Sequence, residues 1–155
     1  MASAWLLHPL RVRYQECDQM GVVYHANYVN WFEIGRTEWV RRSGYDYREI
    51  EAKGLLLPLI KLDVNFAQPA KYDDWITVCT RVADKTALRI EFESRVLRGD
   101  LTASLGRVSR DEPAGELLVS GGTKHVWVNK DWKPVRLDRE LPEVWAAFKA
   151  LAEEV

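Results

Sequence analysis

The chain has 155 residues, with 22 Lys and Arg against 23 Asp and Glu and 47% hydrophobic residues. This balance is typical of a folded globular protein, and residues 1–155 are enough for a single domain whose core needs no disulfide or metal. No basic stripe or polybasic run is present, so nucleic acid and membrane surfaces are not expected as partners. The N-terminus lacks a basic region and a long apolar run, which predicts a cytoplasmic protein without a membrane span.

The cysteines and histidines do not suggest a metal or redox site. Cys17 and Cys79 lie far apart in the sequence and form no Cys-x-x-Cys pair, which argues against zinc and a redox dithiol. The three histidines share no metal-ligand spacing. Cys17 is a candidate nucleophile, but a base would have to lower the pKa of its thiol, and we favour a buried or bystander role. We therefore predict no metal and no cofactor.

The first elements predicted are a strand, a loop and a long helix. Apolar and polar residues alternate from Leu10 to Gln15, which predicts a half-buried strand leading into a loop that contains Asp18. After Gly21 the period becomes helical, and the helix is predicted to end near Ser43 and Gly44, with Gly44 in a left-handed cap. The apolar stripe of this helix consists of Tyr28, Trp31, Phe32, Gly35 and Trp39. Gly35 would let the helix backbone approach its neighbour closely.

Alternating runs after the helix predict strands with one buried face. These runs are Ile60–Phe66, Ile76–Val82 and Leu88–Glu93. A last run, Leu117–Val128, contains Gly121 and Gly122, where we expect a bulge or a close backbone contact.

Two further segments complete the chain. The polar segment between Arg98 and Gly115 is longer than a short hairpin connection and is interpreted as an insertion that either extends the strands or forms a flap. Leu141–Val155 predicts a short C-terminal helix with Pro142 in its first turn, where helices tolerate proline.

Asp18 is the first candidate functional residue because it precedes the start of the long helix. About four backbone N–H groups at a helix start lack intrahelical partners, and the helix dipole favours negative charge there. A carboxylate can act as base or nucleophile while such amides stabilise the charge on a carbonyl oxygen under attack. Asp in this position is also a common cap or turn former. Position alone leaves both interpretations open.

The pattern Asp-x-x-Gly-Val-Val-Tyr-His-Ala-Asn-Tyr at 18–28 is followed by the long aromatic helix and then by Val64–Asp74, which ends in a Pro-Ala-x-x-Asp-Asp turn. This arrangement resembles the hotdog-fold acyl-CoA thioesterases, in particular 4-hydroxybenzoyl-CoA thioesterase and the YbgC-like enzymes, from about Leu10 to Val128. The resemblance implies an α+β fold, with an antiparallel β-sheet wrapped around one long central α-helix and a short C-terminal helix. It also implies hydrolysis of an acyl-CoA to free acid and CoA.

The resemblance assigns roles to individual residues. It makes Asp18 the catalytic carboxylate and the His25 backbone N–H the donor to the thioester carbonyl, with Tyr14 and the His25 side chain completing the polar shell. The substrate-binding candidates are Gly21, Tyr24, Asn27 and Tyr28, and the CoA-binding candidates are Lys85 and Arg89. Lys85 stands alone in its turn, where the 4-hydroxybenzoyl enzyme has a basic cluster.

The resemblance further implies an acyl-CoA held across a subunit interface. The sheet edges left by a single helix and a single sheet also favour a homodimer or homotetramer. Two other functions remain open. One is a hotdog-type dehydratase, against which the position of Asp18 seven residues before His25 argues. The other is a non-catalytic acyl-CoA sensor or interaction subunit. The C-terminal residues contain no pattern of a DNA-binding helical pair, which argues against a regulator.

Overall fold

The structure is a computed structural model that describes residues 2–99 and 105–153. Six strands form one antiparallel sheet in the order β3-β7-β5-β4-β1-β6, and β2 pairs with β8 in a separate ribbon. The elements are β1 (Trp5–Arg11), α1 (Ala26–Arg42), α2 (Tyr47–Ala52), β2 (Leu55–Leu56), β3 (Leu59–Phe66), β4 (Trp75–Lys85), β5 (Arg89–Arg98), β6 (Val108–Ser109), β7 (Glu116–Val126), β8 (Val128–Asn129), α3 (Leu137–Glu140) and α4 (Pro142–Ala152). The predicted combination of one antiparallel sheet with one long helix is confirmed.

Helix α1 packs on the sheet through the predicted stripe. All five stripe residues are buried, together with Val40. A Cβ built on Gly35 would lie 2.1 Å from Thr80 Oγ1 and 2.8 Å from Val78 Cγ1, so only glycine allows this approach to β4. Helix α1 ends at Arg42, and Gly44 has a φ of +98°, as the predicted cap requires.

The first strand begins and ends earlier than predicted. Strand β1 contains only Leu10 and Arg11 of the predicted Leu10–Gln15 strand, and Tyr14–Glu16 form a 3₁₀ turn. The reason is local, because the Glu16 carboxylate accepts a hydrogen bond from the backbone N–H of Arg13 at 2.7 Å and bends the chain. The side chain of Tyr14 is consequently 81% exposed.

Strand β3 does not have the buried face that its alternation predicted. It is an edge strand paired only with β7, and its apolar residues Ile60, Leu62 and Phe66 are 50%, 39% and 57% exposed. Only Val64 is half-buried. The strand is amphipathic as predicted, but in the described part of the chain its apolar face meets α1 only near its end, where Val64 packs on the core and Phe66 contacts Tyr28.

The central strands follow the predicted patterns more closely. Ile76, Val78 and Val82 of β4 are buried, as are Ile90 and Phe92 of β5. Leu88, predicted to share the buried face, is exposed because it lies in the turn before β5, where its N–H donates to the Thr86 hydroxyl at 3.2 Å.

A bulge or a close backbone contact was predicted at Gly121 and Gly122, and the structure shows close backbone contacts. A Cβ on Gly121 would lie 2.0 Å from the Asp63 carbonyl oxygen, and one on Gly122 would lie 2.8 Å from that of Phe92. The register shift between β5 and β7 occurs elsewhere, between Val96 and Leu97 of β5.

The described part of the insertion extends the sheet. Strand β6 pairs with β1 at the edge opposite β3, whereas residues 100–104 lie outside the described residues. The C-terminal helix α4 begins at Pro142, one residue after the predicted start, and Pro142 lies in its first turn as predicted. The Phe148 ring of α4 contacts Trp39 of α1 with centroids 5.3 Å apart. None of the described helices combines the length and apolar character needed to cross a membrane.

Candidate active site

A cavity of about 250 Å³ lies at the N-terminus of α1. One wall is the loop that contains Asp18, and another is the connection that follows β3. The lining residues are Asp18, Met20, Val22, Val23, His25, Tyr28, Phe66, Ala67, Gln68 and Pro69. The cavity therefore combines a carboxylate, a helix start and apolar walls.

Asp18 forms a tight turn and also lines the cavity. Its Oδ1 accepts a hydrogen bond from the Met20 backbone N–H at 2.8 Å, and its carbonyl accepts one from Gly21 at 3.0 Å. Gly21 has a φ of +77°, which favours glycine at this point of the turn. The two interpretations of Asp18 are thus compatible, because one carboxylate oxygen holds the turn while the side chain remains half-buried at the cavity.

Glu16, which was not predicted as a site residue, fastens this loop to α1. Its buried carboxylate accepts hydrogen bonds from the Arg13 backbone N–H and from Trp31 Nε1, both at 2.7 Å. Its carbonyl accepts from the Tyr24 N–H at 2.9 Å and from Asn27 Nδ2 at 2.8 Å. The sequence contains a signal for this role, since a buried Trp31 needs an acceptor for its indole N–H.

His25 is the N-cap of α1 and has helical dihedral angles, with φ −53° and ψ −33°. Within residues 2–99 and 105–153, its backbone N–H donates to no backbone acceptor. Its side chain is exposed and lies against the ring of Tyr24, with centroids 4.3 Å apart. The helix start thus offers a backbone donor in a region of positive potential.

Tyr28 forms the rear wall of the cavity. Its buried hydroxyl accepts a hydrogen bond from the Ala70 backbone N–H at 3.0 Å, and its ring makes edge contacts with Trp31 and Phe66. Burial raises the pKa of Tyr28, so the phenol stays protonated at neutral pH. Tyr28 thus lines the cavity as a neutral side chain, and its hydroxyl joins α1 to the loop after β3.

That loop is held in place by Arg98, which the sequence analysis did not assign. Its Nη2 donates to the Pro69 carbonyl at 2.7 Å, and its guanidinium also pairs with Asp74 and Glu116. Gln68, Ala67 and Pro69 were likewise not predicted as site residues, although the Pro-Ala-x-x-Asp-Asp turn is part of the family motif.

The structure brings Asp18, His25 and Tyr28 of the predicted residues together at the cavity. Gly21 and Asn27 hold the loop through hydrogen bonds, from the Gly21 N–H to the Asp18 carbonyl and from Asn27 Nδ2 to the Glu16 carbonyl. Tyr24 lies against His25 rather than on the cavity wall. Tyr14 is not among the lining residues, and its ring contacts Tyr72 at 5.5 Å.

The predicted CoA-binding residues lie at the other end of the sheet. Lys85 ends β4, whose first residue, Trp75, follows the loop at the cavity, and the two ends are about 30 Å apart at 3.3 Å per residue. The Lys85 ammonium lies 4.5 Å from the Trp145 ring centroid, and burial lowers its pKa. Arg89 is exposed at the start of β5. Neither residue of the same chain is near the Asp18 cavity.

Cys17 has the environment of a bystander thiol. Burial raises its pKa, and the nearby carboxylates of Glu16 and Asp18 raise it further, so little thiolate is present at neutral pH. In the described part of the chain, no cluster of three His, Cys, Asp or Glu side chains is arranged to hold a metal ion.

Comparisons with known proteins give the family. A model of the thioesterase-like superfamily matches residues 12–144. YneP of Bacillus subtilis, provisionally named an acyl-CoA thioesterase, is 30% identical over 90% of this chain and 92% of that protein. The acyl-CoA thioesterase YbgC of Haemophilus influenzae is 36% identical over 64% of this chain and 74% of that protein. A solved DHNA-CoA thioesterase from Staphylococcus aureus has a TM-score of 0.81 and 29% identity, covering 95% of this chain and 90% of that one.

The chain belongs to the thioesterase-like superfamily. Within that superfamily it is similar to the YbgC and YneP proteins, as its sequence motifs predicted. The predicted hotdog fold and the predicted class of enzyme, a thioester hydrolase, are confirmed. The roles assigned to individual residues stay predictions.

Proposed function

We propose that this protein hydrolyses the thioester bond of an acyl-CoA at the Asp18 cavity. The observation that carries the proposal is the position of the Asp18 carboxylate and the His25 helix start on the same cavity. The apolar walls formed by Val22, Val23 and Tyr28 suit an acyl group next to this polar pair. The relatives named as acyl-CoA thioesterases support the choice of substrate class.

In the proposed reaction, the thioester carbonyl oxygen faces the His25 backbone N–H, which stabilises the negative charge formed during attack. Asp18 either takes a proton from a water that attacks the carbonyl carbon or attacks that carbon itself. The first route gives the acid directly, and the second gives a mixed anhydride that water then cleaves. In both routes the C–S bond breaks and CoA leaves as a thiolate, which needs no strong general acid.

We further propose a homodimer or homotetramer in the cytoplasm. The largely exposed apolar face and free edge of β3 support this assembly, because an exposed edge strand of eight residues readily pairs with a second copy. A second copy is also required for the proposed contact of Lys85 or Arg89 with the CoA phosphates, since both lie far from the Asp18 cavity of their own chain.

Asp18→Asn tests the chemistry with little effect on the turn. The Asn carbonyl oxygen can still accept the hydrogen bond from Met20, so the unfolding temperature should stay close to that of the parent. Loss of the base or nucleophile should lower kcat by about 10²-fold or more. Asp111→Asn is the matched control, because Asp111 is exposed and, among residues 2–99 and 105–153, hydrogen-bonds only through its backbone carbonyl.

The assay is release of free CoA thiol from a panel of acyl-CoAs. An Asp18→Asn variant with parental kcat would exclude Asp18 from the mechanism. Binding of acyl-CoA without thiol release in the parent protein would instead support the sensor function. Activity per chain should fall on dilution as the assembly dissociates, and a fully active monomer would contradict the shared site.

A further inference from the structure

A second cavity, of about 260 Å³, lies further along α1, between α1, α2 and the start of β3. Its lining includes Arg36 and Thr37 of α1, Tyr47 of α2, Leu59 of β3 and His125 of β7. Among the described residues, Arg36 Nη1 is buried and has no hydrogen-bond partner. A buried guanidinium nitrogen without an acceptor is costly, so this donor is suited to an oxygen from outside the chain.

The Arg36 guanidinium hydrogen-bonds the Tyr47 side chain, but its neighbours in the described part of the chain leave its Nη1 without a partner. The Nδ1 of His125 lies 3.4 Å from the Leu57 carbonyl and its Nε2 lies 2.8 Å from the Thr123 hydroxyl, so both ring nitrogens already have partners. Burial and the Arg36 charge lower the pKa of His125 to about 4, and burial raises that of Tyr47 to about 12. Both side chains are therefore neutral at neutral pH. The carboxylates of Glu33 and Glu51, which also line the cavity, are exposed.

The two cavities lie at opposite ends of β3. The Arg36 cavity includes Leu59, the first residue of the strand, and the Asp18 cavity includes Phe66, the last. Seven residue steps in a strand span about 23 Å. Within one chain the cavities are thus well separated.

Pairing of β3 with β3 of a second copy changes this relation. A two-fold axis makes the paired strands antiparallel, so that the end of one strand lies beside the start of the other. The Asp18 cavity of one subunit then adjoins the Arg36 cavity of the other. An acyl group held at Asp18 would extend toward the unpartnered Nη1 of the second subunit.

We propose that the Arg36 cavity receives the far end of the acyl group bound at Asp18 of the partner subunit and selects acyl groups that carry a hydrogen-bond-accepting oxygen there. This inference rests on the proposed function and specifies its substrate class. A terminal methyl group in the same place would leave the buried guanidinium nitrogen unpaired and is disfavoured for that reason.

The test compares acyl-CoAs of equal chain length that differ only at the far end, such as hexanoyl-CoA, ω-hydroxyhexanoyl-CoA and adipoyl-CoA, with longer homologues of each. In the parent enzyme, kcat/KM for an oxygen-bearing substrate should exceed that for the methyl-ended substrate of the same length by about tenfold or more. One hydrogen bond to a charged donor provides a selectivity ratio of this size. A gain for the hydroxyl, the carboxylate or both supports the inference. Equal values throughout the series would overturn it.

Arg36→Met should bring the ratio of kcat/KM for the oxygen-bearing substrate to kcat/KM for the methyl-ended substrate close to one. Arg41→Met is the matched control, because Arg41 lies on the same helix but is exposed and pairs with Glu38. Both substrates are measured on one preparation, so any loss of folded protein cancels in the ratio. An unchanged ratio in Arg36→Met would contradict the inference.

A mixed dimer tests the contribution of the second subunit. One chain carries Asp18→Asn and the other Arg36→Met, with different tags for isolation, so the only intact Asp18 is on the chain that lacks Arg36. The ratio should return to the parental value. A ratio near one would mean that Arg36 serves its own chain, which would overturn the shared site.

Binding of non-hydrolysable thioether analogues of the same pairs separates the two proposals. If the parent hydrolyses no acyl-CoA, the proposed function fails. The Arg36 cavity would still be supported as a binding site if the oxygen-bearing analogue has a Kd about tenfold lower than the methyl-ended one and Arg36→Met abolishes that difference. Hydrolysis that depends on Asp18 but shows no preference would leave the proposed function standing and reject this inference.

Discussion

Glu16→Gln should destabilise the protein although the two side chains have nearly the same size. Each carboxylate oxygen of Glu16 accepts one hydrogen bond, from the Arg13 backbone N–H and from Trp31 Nε1. Gln offers one oxygen and one NH₂ group in the same space. One of the two N–H donors must therefore face another donor at about the former hydrogen-bond distance.

The size of the effect follows from these contacts. A buried donor left without an acceptor costs about 1–3 kcal/mol, and the surviving hydrogen bond loses its charge assistance, which adds about 1 kcal/mol. The Arg13 side chain is exposed and lies 3.5 Å from Glu16, so loss of that ion pair adds little. We expect the free energy of unfolding to fall by about 2–4 kcal/mol, and Tm by about 4–16 °C.

Urea unfolding of the parent, Glu16→Gln, Trp31→Phe and the double variant measures this effect as a double-mutant cycle. Trp31→Phe removes the indole N–H, so the coupling energy should be about 1–2 kcal/mol. Hydrolysis by Glu16→Gln should also slow, because the turn carrying Asp18 loses an anchor to α1. Glu38→Gln is the control, because Glu38 lies near the protein surface on α1, the helix that contains Trp31, and pairs with Arg41. A loss below about 0.5 kcal/mol with no coupling would refute the reasoning.

Two further predictions concern stability. The pKa of His125 is lowered to about 4, so between pH 6.5 and 4 the unfolded chain binds a proton that the folded chain does not. The free energy of unfolding should fall by up to about 3 kcal/mol as the pH drops through this window. Urea titrations at several pH values should show a smaller fall in His125→Gln than in the parent. Equal falls in the two proteins would show that His125 does not cause the loss of stability. Gly35→Ala should lower Tm by an amount equivalent to about 1–3 kcal/mol, because the new Cβ would overlap Thr80 Oγ1. An increase in Tm, as expected for an ordinary helical glycine, would show that β4 moves aside, and added Thr80→Ala should recover part of any loss.

Local patterns in the sequence predicted the elements that position the site. The aromatic stripe of α1, the close approach at Gly35 and the cap at Gly44 are local features, because helical periodicity and glycine geometry depend on neighbours a few residues away. The motif around Asp18 and His25 identified the family and located the cavity at the start of α1. Pro142 likewise marked the start of α4.

Tertiary structure decided what covers each face and which distant residues meet. Alternation in β3 predicted an amphipathic strand, but its burial depends on a neighbour, and β3 is an edge. The first strand ends early because the Glu16 carboxylate accepts the Arg13 N–H, which a longer strand would use for pairing. The indole N–H of Trp31, fifteen residues away in the sequence, holds that carboxylate in place. Arg36 and His125 are separated by most of the chain and meet only because α1 packs on the sheet. Periodicity reports local amphipathic character, whereas burial and hydrogen bonds between distant segments depend on the complete fold.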